Sequence, residues 1–230
     1  MRSDRSRLRR TRLGWALLAA VAVLTALVAA GWQPLASWDE RIARSLHSHA
    51  VSHRGVTHLM RVLSDWIWDP WTMRALAAAA CLWLWRGGEG RCALRIALVV
   101  LGASVVQQGL KAWVGRERPV WPDPVDSAHF SAYPSGHAMT ASVVCGLFLW
   151  LVPRGAPGRR SARAARVLVP VLAAVSVLGV GFTRLYLGVH WFSDVLAGWL
   201  LGAALVLLAA ADGVCPGRSP VSPRTDAPAR

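Results

Sequence analysis

The sequence predicts an all-α integral-membrane protein, a bundle of six transmembrane helices, and three observations lead there. The 230 residues are 54% hydrophobic with a mean hydropathy of +0.38, high for a water-soluble domain. The apolar residues come in blocks, such as 15–32 and 191–211. These stay apolar all round for about 20 residues, the length that crosses a hydrocarbon core of roughly 30 Å. Arginines collect in the short segments between blocks, the pattern of cytoplasmic loops.

The spans fall at about 14–32, 68–85, 92–113, 137–152, 167–183 and 191–211. Six arginines precede the first and place the N-terminus in the cytoplasm. Alternation then brings Arg86–Arg91, Pro153–Arg166 and the C-terminal tail to the same side, where the remaining basic clusters lie. The second span is the weakest, with Asp69 and Arg74 at its outer end. Ala29, Ala30 and Gly31 offer small residues at which a signal peptide could be cleaved. The apolar block before them is longer than a signal peptide needs, so an uncleaved anchor is expected. The chain thus divides into a basic cytoplasmic N-terminus (1–13), a membrane domain (14–211) and a Pro-, Ser- and Arg-rich disordered tail (212–230).

Residues 33–69 form the long outer connection. Trp38, Ile42, Leu46 and Val51 lie near helical spacing and predict an amphipathic helix at the interface. His47, His49, His53 and His58 fall in the same segment without the spacing of a metal site, and read as a polar helix face. Many of the 13 tryptophans, including Trp32, Trp38, Trp71, Trp113 and Trp191, stand at span ends, as an aromatic belt does. Cys81, Cys92, Cys145 and Cys215 show no metal-ligand spacing and read as packing residues rather than a disulfide framework. Most of the net charge of +14 lies in the loop clusters and the termini, and no nucleic-acid-binding motif accompanies it, so nucleic acid is not an expected partner.

The chemistry gathers at the outer ends of the last four spans. Lys111 is the sole lysine among 26 Lys and Arg residues, which points to a specific need for a compact ammonium charge. Arg118 follows seven residues later and shares its side if the helix continues to Pro119. Taken alone, both read more readily as interfacial side chains snorkelling to head groups. The stretch Tyr133-Pro134-Ser135-Gly136-His137 opens the fourth span. Pro and small residues there leave backbone N–H groups free for an anion, and Gly136 permits close approach. Ser135 is placed either to cap that helix or to donate to a phosphate oxygen. Between the last two spans come Arg184, His190 and Asp194, the last two four residues apart and therefore on one helical face. An Asp so placed can fix one imidazole tautomer and leave the other nitrogen as a nucleophile. Topology brings three cations, two histidines, a serine, an aspartate and a helix N-terminus to one membrane face, a set suited to a phosphoryl group.

The pattern Lys-x6-Arg-Pro, Pro-Ser-Gly-His and Arg-x5-His-x3-Asp, spanning 111–194, resembles the type 2 phosphatidic acid phosphatase superfamily, which also includes the fold-related vanadium haloperoxidases. One departure is Thr183, where that family usually has Ser; the hydroxyl is kept. The resemblance implies the six-helix fold of that family. It implies that Lys111, Arg118 and Arg184 bind phosphate oxygens, with hydrogen bonds from Ser135 and the Gly136 amide. It also implies that His190 attacks phosphorus, that Asp194 orients it, and that His137 protonates the leaving oxygen and then activates water. No metal or other cofactor is implied. The expected substrate is a lipid phosphate or diphosphate in the outer leaflet, undecaprenyl diphosphate first, with phosphatidic acid and phosphatidylglycerol phosphate as competitors. Phosphotransfer to a lipid or sugar hydroxyl is the other enzymatic reading. A haloperoxidase is disfavoured because relatives with that activity are larger soluble chains, and a non-enzymatic scaffold because the motif set is complete.

Overall fold

The computed structural model describes residues 2–152 and 160–211; the basic residues 153–159 and the tail 212–230, with Cys215, lie outside the described residues. Helices stand at each predicted block. They are α1 (Arg2–Ala29), α2 (Gln33–Ser52), α3 (Arg54–Val62), a π-helical turn (Leu63–Ile67), α4 (Pro70–Arg86), α5 (Gly90–Val114), α6 (Gly136–Leu151), α7 (Arg160–Tyr186) and α8 (Phe192–Ala211). Local chemistry sets several ends. Asp69 caps α4 by accepting from the Trp71 and Thr72 N–H groups, and Pro70 opens that helix where no N–H is needed. Gly115, at φ 61°, ends α5 in the left-handed conformation that glycine tolerates.

Four helices, α1 from Asp4, α5, α7 from Arg163 and α8, are long and apolar enough to cross a membrane. Two are shorter: α4 has 17 residues and α6 has 16. Leu94, Leu98, Leu101 and Val105 of α5 and Val167, Val171, Val175 and Leu178 of α7 are exposed. Contiguous apolar surface of this kind is what lipid covers.

α6 is the central helix. It packs on α4, α5, α7 and α8, while α1 lies along the other side of α8. The core joins Val21 of α1, Leu84 of α4, Ile96 of α5, Met139 and Val143 of α6 and Leu201 of α8. The α6–α8 crossing is close because α8 presents glycines. A Cβ at Gly198 would stand 2.7 Å from the Ser135 carbonyl oxygen, and one at Gly202 2.8 Å from that of Met139. Small residues four apart let two membrane helices touch along their backbones. Here they seat the N-terminus of α6 against the first turns of α8.

The outer connection is helical as predicted, but its buried stripe differs. Asp39, Ala43, His47 and Ala50 of α2 face inward, whereas Trp38 and Val51 are exposed. This stripe turns inward because Asp39 bonds to Arg116 and Ser193 and His47 stacks on Trp121, which the hydrophobic pattern could not disclose. Among the four outer histidines, His47 is therefore not on a solvent-facing side. It stacks on Trp121 with ring centroids 4.1 Å apart, and burial holds its pKa below the usual imidazole value. Cys81 and Cys145 are free, as packing residues should be, but Cys92 corrects that reading in part because it is disulfide-bonded.

The crossing gives a direct expectation. Gly198→Ala forces a carbon into backbone atoms on α6 and should cost about 1–3 kcal/mol, as overpacking does. Gly109→Ala on α5, with nothing within 4 Å of the added carbon, should not destabilise. Thermal unfolding of the two variants in one detergent checks this.

Candidate active site

Lys111 sits in the last turn of α5, buried to 8% exposure, and its ammonium donates to the Ser131 carbonyl. The helix stops at Val114, so Arg118 does not share a helical face with Lys111 as the sequence suggested. It arrives instead from the loop that follows. Arg118 Nε donates to the Phe130 carbonyl (2.8 Å), Nη2 to His129 (3.0 Å) and Nη1 to Val189 (2.6 Å). Burial, and then the positive charge of Arg184, lower its pKa to about 10, which leaves it a cation at neutral pH. The loop is anchored in turn. Trp121 Nε1 donates to the Gly188 carbonyl (2.9 Å), and the fully buried Tyr133 shares a 2.7 Å hydroxyl–hydroxyl bond with Thr25 of α1.

Ser135 is the N-cap residue of α6, yet its side chain makes no capping bond. Its Oγ is buried without a hydrogen-bond partner, which removes the capping alternative. Its backbone N–H donates to the Asp194 carbonyl oxygen (3.0 Å), tying α6 to α8. Gly136 begins the helix with the Gln107 amide packed where a side chain would be, 2.5 Å from an added Cβ. His137 lies one residue further, within electrostatic range of Arg184, His190, Arg118 and Lys111.

Arg184 ends α7 and is buried to 3% exposure. Its Nη1 donates to Ser64 Oγ (2.8 Å) and lies 3.7 Å from both Asp65 and Asp126, while its Nε has no partner. The π-helical turn brings Ser64 and Asp65 to it, a use of π geometry often found at functional sites. The hydroxyl of Thr183 is spent locally, donating to the Val180 carbonyl at 2.8 Å.

His190 follows Gly188, whose φ of 68° turns the chain back toward the membrane. The ring is 2% exposed, with Nδ1 3.3 Å from Asp194 Oδ2 and Nε2 3.3 Å from Arg118 Nη1. Burial, then the charges of Arg118, Arg184 and Lys111, push its pKa well below the ordinary imidazole value, so it is neutral near pH 7. Asp194 Oδ2 also accepts the Trp191 N–H (2.8 Å). Lys111, Arg118, Ser135, Gly136, His137, Arg184, His190 and Asp194 thus come from sequence positions up to 83 residues apart and converge where α5, α6, α7 and α8 meet the loops 115–135 and 187–191.

Several residues escaped the sequence reading. Arg116 donates to Asp194 Oδ1 (2.6 Å), Ser193 Oγ (2.7 Å) and Asp39 Oδ2 (2.7 Å). It lies inside the Lys111–Pro119 stretch, but no periodicity distinguishes it from its neighbour Arg118. Asp39 sits 77 residues away on α2, and only the burial of the polar stripe could have pointed to it. Among the described residues, no group of three or more His, Cys, Asp or Glu side chains is arranged to hold a metal ion.

The chain is similar in sequence and in structure to known proteins. The chain is 35% identical over 112 residues to phosphatidylglycerophosphatase B of Bacillus subtilis, covering 48% of this chain and 53% of that protein. It is 33% identical over 87 residues to an undecaprenyl-diphosphatase of Sulfolobus acidocaldarius, covering 38% and 34% of the two chains. The matched regions span about half or less of these relatives' lengths. In structure it resembles a transmembrane PAP2-type phosphatidylglycerolphosphate phosphatase from Bacillus subtilis, with a TM-score of 0.65 at 25% identity, over 87% of this chain and 94% of that one. Residues 92–213, which include every motif described above, match the PAP2 superfamily, and the chain belongs to that family.

Proposed function

We propose that the protein is a membrane phosphatase that hydrolyses a lipid phosphate or diphosphate through a phosphohistidine. One observation carries the reading. Around the neutral His190, the cations Lys111, Arg118 and Arg184 are held within mutual electrostatic range, and Ser135 Oγ and Arg184 Nε are buried with no partner. A phosphoryl group supplies the acceptors that such donors need and the negative charge that such cations balance.

With Nδ1–H donated to Asp194, Nε2 carries the lone pair and attacks phosphorus. The bond to the lipid oxygen breaks, its electron pair stays on that oxygen, and His137, which takes up a proton once the phosphate's negative charge offsets the surrounding cations, gives that proton to it. The equatorial oxygens are bound by Lys111, Arg118, Arg184, Ser135 and the N–H of Gly136. Neutral His137 then takes a proton from water, the oxygen bonds to phosphorus, and the phosphorus–nitrogen bond breaks to free phosphate and His190. The cations supply the charge that Mg²⁺ supplies in other phosphoryl-transfer enzymes, so no metal is required.

The topology that suits a lipid substrate has both termini and the basic loops in the cytoplasm and the site facing outward, with α4 and α6 completing six spans. Undecaprenyl diphosphate and phosphatidylglycerol phosphate are the leading substrates, matching the names of the two relatives; phosphatidic acid follows.

Purified protein in detergent should release phosphate from a panel of these three lipids in the presence of EDTA, and vanadate should inhibit it. His137→Ala should lower kcat by about 10²–10⁴-fold, the usual worth of a general acid–base. His190→Ala should abolish turnover; full activity in that variant would falsify the mechanism. Lys111→Arg keeps the charge but replaces a compact ammonium beside Ser131 with a planar fork. It should lose about tenfold in kcat/KM, or ~1.4 kcal/mol, and an unchanged value would show that only charge matters there.

A further inference from the structure

The motifs explain one oxygen of Asp194 and leave the other unexplained. Oδ2 faces His190 Nδ1 at 3.3 Å and accepts the Trp191 N–H at 2.8 Å. Oδ1 accepts Arg116 Nη1 at 2.6 Å, and that same nitrogen reaches Ser193 Oγ at 2.7 Å. Arg116 Nη2 donates to Asp39 Oδ2 at 2.7 Å. The other oxygen of Asp39 accepts the Ser193 N–H at 2.9 Å, and Ser193 Oγ also donates to Asp39. Asp39 and Asp194 are 1% and 0% exposed, so one guanidinium lies between two carboxylates that water barely reaches. Trp191 covers it, with the Arg116 carbon 5.5 Å from the ring centroid, and is fixed by its own bond to the Glu117 carbonyl (2.9 Å).

This arrangement has a geometric consequence. An aspartate carboxylate rotates about a soft torsion, and contacts to one oxygen alone, here His190 and the Trp191 N–H, leave the far oxygen free to swing. Arg116 grips the far oxygen, so the carboxylate keeps its near oxygen on Nδ1. The fork is needed because its two nitrogens reach two carboxylates at once, which an ammonium on a flexible stem does not do with the same direction. Asp39 fixes Arg116 in turn, which joins the outer helix α2 to the histidine pair. Among the described residues, the side-chain hydrogen bonds of Arg116 go to Asp39, Ser193 and Asp194, so the influence of its guanidinium on His190 passes through Asp194.

We propose that Arg116, held by Asp39, is a positioning residue: it locks the Asp194 carboxylate so that Asp194 keeps His190 as the Nδ1–H tautomer with Nε2 free. The inference rests on the phosphatase reading of the site.

The test uses the full chain with Arg116→Gln, Arg116→Lys and Asp39→Asn, read by lipid-phosphate turnover and by NMR of ¹⁵N-histidine-labelled protein. Loss of an outer partner of this kind costs about 10- to 100-fold in activity. Arg116→Gln is expected at the upper end, in kcat with KM within roughly threefold. Arg116→Lys should recover part of the loss, and Asp39→Asn should fall between Arg116→Lys and wild type. Vanadate inhibition should stay within roughly threefold of wild type in every variant, because none of these side chains binds phosphate. The His190 ring should be the Nδ1–H tautomer in wild type and a mixture in Arg116→Gln. Wild-type kcat and tautomer in Arg116→Gln, or a loss confined to KM and vanadate binding, would overturn the proposal. If Arg116→Gln does not fold, a wild-type tautomer and kcat in both other variants has the same force. Should wild type release no phosphate from any lipid, the phosphatase reading falls, and the tautomer measurement still decides the role of Arg116.

Discussion

Three positive side chains packed around one point repel each other, and the end of the bundle where they lie is organised to hold them there. Each is pinned from behind by acceptors of the protein. Arg184 has Ser64 with Asp65 and Asp126 beyond it, Arg118 has the carbonyls of His129, Phe130 and Val189, and Lys111 has the carbonyl of Ser131. Such bracing fixes the cations before any substrate arrives. Preorganised charge of this kind stabilises a transition state without reorganisation at the moment of reaction. Burial, and then the same three positive charges, depress the pKa of His190, so its surroundings keep the imidazole unprotonated.

The bracing depends on backbone contacts deeper in the bundle. Glycines on α8 let α6 approach until the Ser135 N–H donates to the Asp194 carbonyl oxygen, which aligns the start of one helix with the start of the other. The loop between α5 and α6 is tied to α1 through Tyr133 and Thr25 and to the 187–191 turn through Trp121 and Trp191. Its position is therefore set by several elements besides the two it connects. The outer helix α2 adds Asp39 and His47 from a face that its hydrophobic residues do not mark.

Much of this was legible in the residues. Blocks of apolar residues located α1, α4, α5, α6, α7 and α8, because a helix surrounded by lipid has no polar face to obscure its length. The eight motif residues were legible because phosphate chemistry restricts side-chain types and spacing together. What stayed hidden depends on contacts between distant segments. The end of α5 at Val114 moved Arg118 from a helix face to a loop, since Gly115 could be read as a terminator only once the chain beyond it was seen to turn. The pairing of Arg116 with Asp39 joins α2 to a loop 77 residues on, and no local pattern encodes it. The π-helical turn at Leu63–Ile67, which delivers Ser64 to Arg184, has no sequence signature of its own.

The central claim is that His190 forms a covalent bond to phosphorus and that His137 is needed to resolve it. Rapid acid-free quenching of His137→Ala with a ³²P-labelled lipid phosphate, followed by alkaline gel electrophoresis and peptide mapping, tests this directly. The mechanism predicts an acid-labile, base-stable label on the peptide containing His190, absent when His190 is also replaced by Ala. A label that survives acid, that maps elsewhere, or that persists without His190 would contradict the account.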